Sequence, residues 1–148
     1  MRTFLTISLI SLVLFYACGK DSYESWPVLT LKEINGTHVV NGGYTQIVIE
    51  FTDGDADVSR GKMIYYRERT NIRPIPNPEN NDKEDLVIGT IPEFPDRKKG
   101  EILIQIPYAD LDEDPNDSDT MFFKIVIEDR AGNQSDTLIT PVVIAVHQ

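Results

Sequence analysis

The run Asp53-Gly54-Asp55-Ala56-Asp57 sets three carboxylates at alternate positions, and Asp129 and Asn133 add two more oxygen-bearing side chains farther along the 148-residue chain. A hard cation takes such groups. Calcium wants about six to eight oxygen ligands, which alternate aspartates and loop carbonyls supply. Carboxylates this close repel one another, and a divalent cation relieves the repulsion. The spacing is not that of an EF-hand, because Val58 stands where its glycine would and Ile64 where its glutamate would. Asp53, Asp55, Asp57, Asp129 and Asn133 are therefore a candidate calcium site. The same residues also suit a solvated acidic turn in which Asp53, Asp129 and Asn133 bond local backbone. A third reading pairs them with Arg97, Lys98 and Lys99.

A second acidic run holds Asp110, Asp112, Glu113, Asp114, Asp117 and Asp119 with no basic residue among them. It reads as a solvated, flexible loop, with a second cation site as the alternative. Other chemistries are poorly supplied. One Cys and two His, His38 and His147, exclude a disulfide framework and a thiolate or multi-histidine metal centre within the chain. Nucleophile-elbow, zinc-protease and phosphate-loop motifs are missing, and His38 reads as a surface residue. Paired carboxylates for glycoside cleavage remain open on composition alone. A net charge of −10 speaks against nucleic acid, whose phosphates need cationic neutralisation.

The elements that must position these residues have a period of two. Over 44–52, Ile47, Ile49 and Phe51 alternate with Gln46, Val48 and Glu50. Ile102, Ile104 and Ile106 share a face over 101–107, as do Met121, Phe123, Ile125 and Ile127 over 120–128. Residues 62–69 alternate Met63, Tyr65 and Arg67 against Ile64, Tyr66 and Glu68. Weaker strands are expected over 26–34, 86–91 and 136–146, the last broken by Pro141, and no helix is expected. Turn signals at Asn35-Gly36, Asn41-Gly42-Gly43, Asp53-Gly54 and Ala131-Gly132-Asn133 separate them. About seven short antiparallel strands argue an all-β, immunoglobulin-like sandwich over 26–148. In that topology the 53–61, 92–100 and 129–135 connections share one end with the start of the first strand. The proline-rich 70–85 segment and the acidic 108–119 segment share the other.

Ahead of the sandwich, Met1-Arg2 and the apolar run Phe4–Ala17 read as a secretory leader, too short to span a bilayer as a helix. Ala17-Cys18-Gly19 resembles the bacterial lipoprotein signal, in which the cysteine is lipidated and becomes the new N-terminus. That resemblance implies a leader over 1–17, acylation (palmitate) on Cys18 and a tether over 18–25. Gly19 at the sorting position implies the outer membrane, on its periplasmic or cell-surface face. The stretches Phe51–Asp57 and Ile127–Ser135 resemble small Bacteroidota lipoproteins with one immunoglobulin- or fibronectin-III-like domain. The resemblance implies fold and location only. With no catalytic set in the residues, the expected function is a non-catalytic, membrane-anchored module for adhesion or envelope assembly, with calcium at the acidic loop residues as the only expected cofactor and an envelope protein or glycan as partner. A glycan-binding accessory lipoprotein and a small hydrolase are the alternatives.

Overall fold

Alternation decides the architecture. Each strand with one apolar face must bury it, and two such sheets bury theirs against each other. The computed structural model describes residues 23–148, so the leader over 1–17 and Cys18 lie outside the described residues. The strands are β1 (Val28–Asn35), β2 (His38–Val39), β3 (Tyr44–Thr52), β4 (Lys62–Arg69), β5 (Leu86–Thr90), β6 (Lys99–Pro107), β7 (Asp119–Glu128), β8 (Leu138–Ile139) and β9 (Val143–Ala145). Two single-turn helices, contrary to the expectation of none, interrupt them, α1 (Pro78–Asn81) and α2 (Tyr108–Leu111), each too short to show a helical period. One sheet runs β1-β3-β6 and the other β2-β9-β7-β4-β5, with β8 also on β7. This is the expected all-β sandwich.

The core follows the parity read from the sequence. Ile47, Ile49, Ile104 and Ile106 of the first sheet meet Met121, Phe123 and Ile125 of the second in one buried cluster. Burying a side chain such as Phe123 or Ile125 contributes about 2–3 kcal/mol. A smaller cluster of Phe51, Val58, Ile91 and Ile127 closes the end where the first strand begins. Registers Val28↔Thr52, Thr52↔Lys99, Lys62↔Thr90 and Lys62↔Glu128 confirm the placement of loops at that end.

Three further expectations need correction. The last strand is two, because Pro141 falls between β8 and β9, and neither its ring nor its missing N–H fits a continuous ladder on β7. A ninth strand, β2, pairs in parallel with β9 through His38↔Ile144 and Val39↔Ala145. It is too short to show periodicity. His38 itself is exposed.

The third correction concerns the acidic run. Glu113, Asp114 and Asp119 are buried, not solvated. Arg67 and Arg69 occupy inward positions on β4 and reach into that segment. Arg67 donates from Nη2 to Glu113 Oε1 at 2.5 Å and from Nη1 to the Asp110 carbonyl at 2.6 Å. Arg69 donates from Nε to Asp119 Oδ1 at 2.6 Å. The other Asp119 oxygen accepts the N–H groups of Glu113 and Asp114, at 2.6 and 2.7 Å, and so shapes the turn. Two arginines from a neighbouring strand supply the positive charge the segment lacks locally.

Candidate metal centre

At the opposite end, β3 delivers Asp53, the loop after it delivers Asp57, and the end of β7 delivers Asp129. One carboxylate oxygen from each lies within 4.8 Å of the others. Asp53 is fully buried, Asp129 is 3% exposed, and Asp57 is half-buried. Asp55 is exposed and outside this group. The loop does not hold strict alternation, because Ala56 sits in the left-handed region at φ 64° and redirects the chain between Asp55 and Asp57.

Local hydrogen bonds hold each carboxylate. Asp53 accepts the N–H of Asp55 at 3.3 Å on Oδ1 and that of Asp57 at 2.9 Å on Oδ2. Asp129 accepts the Asn133 backbone N–H at 2.8 Å and its amide Nδ2 at 2.9 Å. The same Asn133 Nδ2 donates to the Ser25 carbonyl at 3.3 Å. Asn133 thus braces Asp129 through its nitrogen. Asp57 Oδ2 accepts the Ala131 N–H at 3.1 Å, while the Asp57 carbonyl accepts the Arg130 N–H at 3.2 Å, clipping the two loops together. Asp57 Oδ1 is buried and has no hydrogen-bond partner.

The motif-like segment 129–135 is largely a turn device. Gly132 takes φ 90°, which suits glycine. Ser135 Oγ accepts the Ile127 N–H at 3.0 Å and ties the turn back to β7.

No described ion pair links the three aspartates to Arg97, Lys98 or Lys99. Lys99 pairs with Glu50 at 3.0 Å, the Arg97 guanidinium lies 5.3 Å over the Phe94 ring, and Lys98 offers only its carbonyl, to the Asp53 N–H at 2.8 Å. The negative charge is felt. Desolvation, with Asp129 and Asp53 nearby, pushes the Asp57 carboxyl above its ordinary range. The oxygen-only donor set, with Asp57 Oδ1 unpartnered, suits a hard cation such as calcium, which Asp53, Asp57 and Asp129 would hold.

The N-terminal segment meets this same end. Gly54 donates its N–H to the Glu24 carbonyl at 2.6 Å, and a Cβ at position 54 would fall 2.6 Å from the Tyr23 carbonyl oxygen. Only glycine allows that approach.

Tyr65, Tyr66 and Tyr108 occupy three different environments. Tyr108 is buried and donates to the Val146 carbonyl at 3.3 Å. Tyr65 packs edge-on to Phe123 with centroids 6.0 Å apart. Tyr66 lies exposed on the outer face of the second sheet.

No protein-family model matches the chain, and no curated protein matches its sequence. Among solved structures it is similar to the cohesin module from a Clostridium perfringens ATCC13124 family 33 glycoside hydrolase. The identity is 11% and the TM-score 0.38, over 80% of this chain and 96% of that one. Among the described residues no helix is long and apolar enough to cross a membrane.

Proposed function

We propose that the chain is a membrane-anchored lipoprotein whose β-sandwich is a non-catalytic binding or envelope-assembly module, stabilised by calcium at Asp53, Asp57 and Asp129. The observation that supports this most is the docking of Glu24 and Ser25 on the acid-bearing end. Chain arriving from a lipid on Cys18 would join the domain there. Residues 18–23 at about 3.3 Å each reach no farther than about 20 Å, so that end would face the membrane. The proline-rich segment, the far end and both outer sheet faces would then point toward a partner. An exposed apolar cluster of Tyr66, Leu86 and Ile88 on the outer face of β4 and β5 supports a binding role, because such patches rarely persist without one. Calcium would hold the membrane-facing loops rigid by replacing mutual repulsion with shared coordination. Acyl chains stabilise membrane attachment by about 0.8 kcal/mol per buried CH₂, so a lipidated Cys18 would hold the domain firmly.

The test is labelling of cells with an alkynyl fatty acid, followed by outer-membrane fractionation of wild type and Cys18→Ser. Label and outer-membrane location should both be lost in the variant. Wild-type protein that carries no label and stays out of the membrane fraction overturns the reading.

A further inference from the structure

Edge strands expose unpaired backbone groups, and proteins protect them with charge, proline, bulges or brevity. Here the edges differ. Strand β1 has a register shift between Leu31 and Glu33 and carries Lys32 and Glu33. Strand β6 carries Lys99 and Glu101 and ends on Pro107. Strands β2 and β8 have two residues each. Strand β5, Leu86-Val87-Ile88-Gly89-Thr90, has no charge, proline or bulge.

The free groups on β5 can be named. Arg67 donates its N–H to the Asp85 carbonyl and Ile91 donates to the Gly61 carbonyl. With the register Tyr65↔Val87 and Met63↔Gly89, the odd-numbered residues of β5 bond to β4. Leu86, Ile88 and Thr90 therefore turn their N–H and C=O groups to the open edge. Their side chains lie on the outer face, where Leu86 is 46% and Ile88 60% exposed beside Tyr66.

Beneath the same edge lies a cavity of about 320 Å³ between the sheets. Tyr65, Val87, Ile106 and Phe123 give it apolar walls, and Glu84 and Asp110 stand at its rim. Gly89, the next inward position on β5, leaves open space. Neither Glu84 nor Asp110 belongs to an ion pair among the described residues. Lys83 also reaches the cavity, and Arg67 is held by Asp85 and Glu113, so the surroundings are net negative. A second copy, with the same net charge of −10, would be repelled, whereas a basic segment would be drawn in.

We propose that the free edge of β5 takes an extended basic segment of a partner protein as an added strand, with an Arg or Lys opposite Val87 entering the cavity between β5 and β6. This rests on the binding-module reading above and names its surface. Main-chain bonds to Leu86, Ile88 and Thr90 give affinity, and the cavity selects the alternate side chain. The aliphatic stem of the basic residue packs on Val87, Ile106 and Phe123 while its head meets Glu84 and Asp110.

The probe is a capped peptide of alternating Arg and Val, added to the isotope-labelled full chain in non-ionic detergent, with an alternating Glu and Val peptide as control. Amide exchange should slow at Leu86, Ile88 and Thr90 and stay unchanged at Val87, which is already bonded to β4. Ile88→Lys, at an exposed position, should weaken binding by about tenfold or more. The pair Glu84→Lys and Asp110→Lys should do the same while leaving the edge intact. Equal binding of the acidic control, protection at another surface, or a concentration-dependent dimer abolished by Ile88→Lys would each overturn the proposal. Crosslinking in intact envelopes separates the two readings. A partner captured equally by wild type and Ile88→Lys leaves the module standing and removes β5 from it. No partner captured by wild type removes the module reading itself.

Discussion

Both ends of the sandwich gather buried carboxylates, and they neutralise them by different means. Around Glu113 and Asp119 the positive charge is covalent, supplied by Arg67 and Arg69 from β4. Around Asp53, Asp57 and Asp129 the charge is left to backbone N–H groups and a carboxamide, with one buried oxygen unpartnered. The first end carries its counter-charge within the chain, although Asp112 Oδ1, Asp114 Oδ2 and Arg69 Nη2 are also buried without a hydrogen-bond partner there. The second is a set of donors that a cation would finish. Covalent charge works under all conditions, whereas charge supplied by an ion or a proton makes stability depend on the solvent.

The largest effect expected from this contrast lies at the arginine end. Arg67 is 3% exposed and serves Glu113, Asp85 and the Asp110 carbonyl. Arg67→Ala leaves buried Glu113 with only Arg69, 3.7 Å away, as counter-charge, which costs about 3 kcal/mol. That corresponds to a fall in melting temperature of about 10 °C or more. Calcium should not restore it. Replacing both members by apolar residues, Arg67→Met with Glu113→Leu, should recover most of the loss, since a removed pair costs far less than a broken one. If Arg67→Ala melts within a degree or two of wild type, the two ends do not differ in the way described.

At the other end the expected effects are smaller and depend on the ion. Asp53→Ala removes the acceptor for two backbone N–H groups in a buried turn and should cost about 2 kcal/mol. In wild type, calcium at ten times its dissociation constant should add about 1.4 kcal/mol, reversed by chelator. Asp53→Ala should abolish that gain. Calorimetry with and without calcium reads both, and a wild-type melting temperature indifferent to calcium and chelator would end the cation reading while leaving the cap.

Much of this was legible in the chain, and the rest was hidden for physical reasons. The long strands show because side-chain direction alternates residue by residue, so Ile47, Ile104 and Ile125 announce their face. Strand β2 stays silent because two residues make no period and its partner β9 is remote. The acidic run misleads because its counter-charges lie on another strand. The clue was at Arg67, a charge at a core parity after Met63 and Tyr65, which called for a buried carboxylate. At the candidate metal centre, the pattern places Asp53, Asp55 and Asp57 together, and the left-handed turn at Ala56 leaves Asp55 outside. Backbone handedness at one non-glycine residue is not written in a spacing.

The smallest effect distinguishes a proton from an ion at the same oxygens. Burial and the neighbouring Asp129 and Asp53 raise the Asp57 carboxyl above its ordinary value, and burial raises Glu113 against the opposing pull of Arg67. A raised carboxyl binds its proton more tightly folded than unfolded, so stability falls as pH rises through the window between the ordinary and the raised values. Below about pH 4.5 the trend reverses for Glu128, whose carboxyl is lowered by Lys62 and Gln134 and whose contribution is lost on acidification. Without divalent cations, then, the melting temperature should rise on acidification from neutral pH toward the ordinary carboxylate range. Asp57→Asn should raise it at neutral pH and remove the Asp57 part of the slope, leaving the part from Glu113. Saturating calcium should flatten the same part in wild type, because cation and proton compete for one set of oxygens. A slope that calcium and Asp57→Asn both leave intact would assign the pH dependence to the arginine end, where no ion is called for.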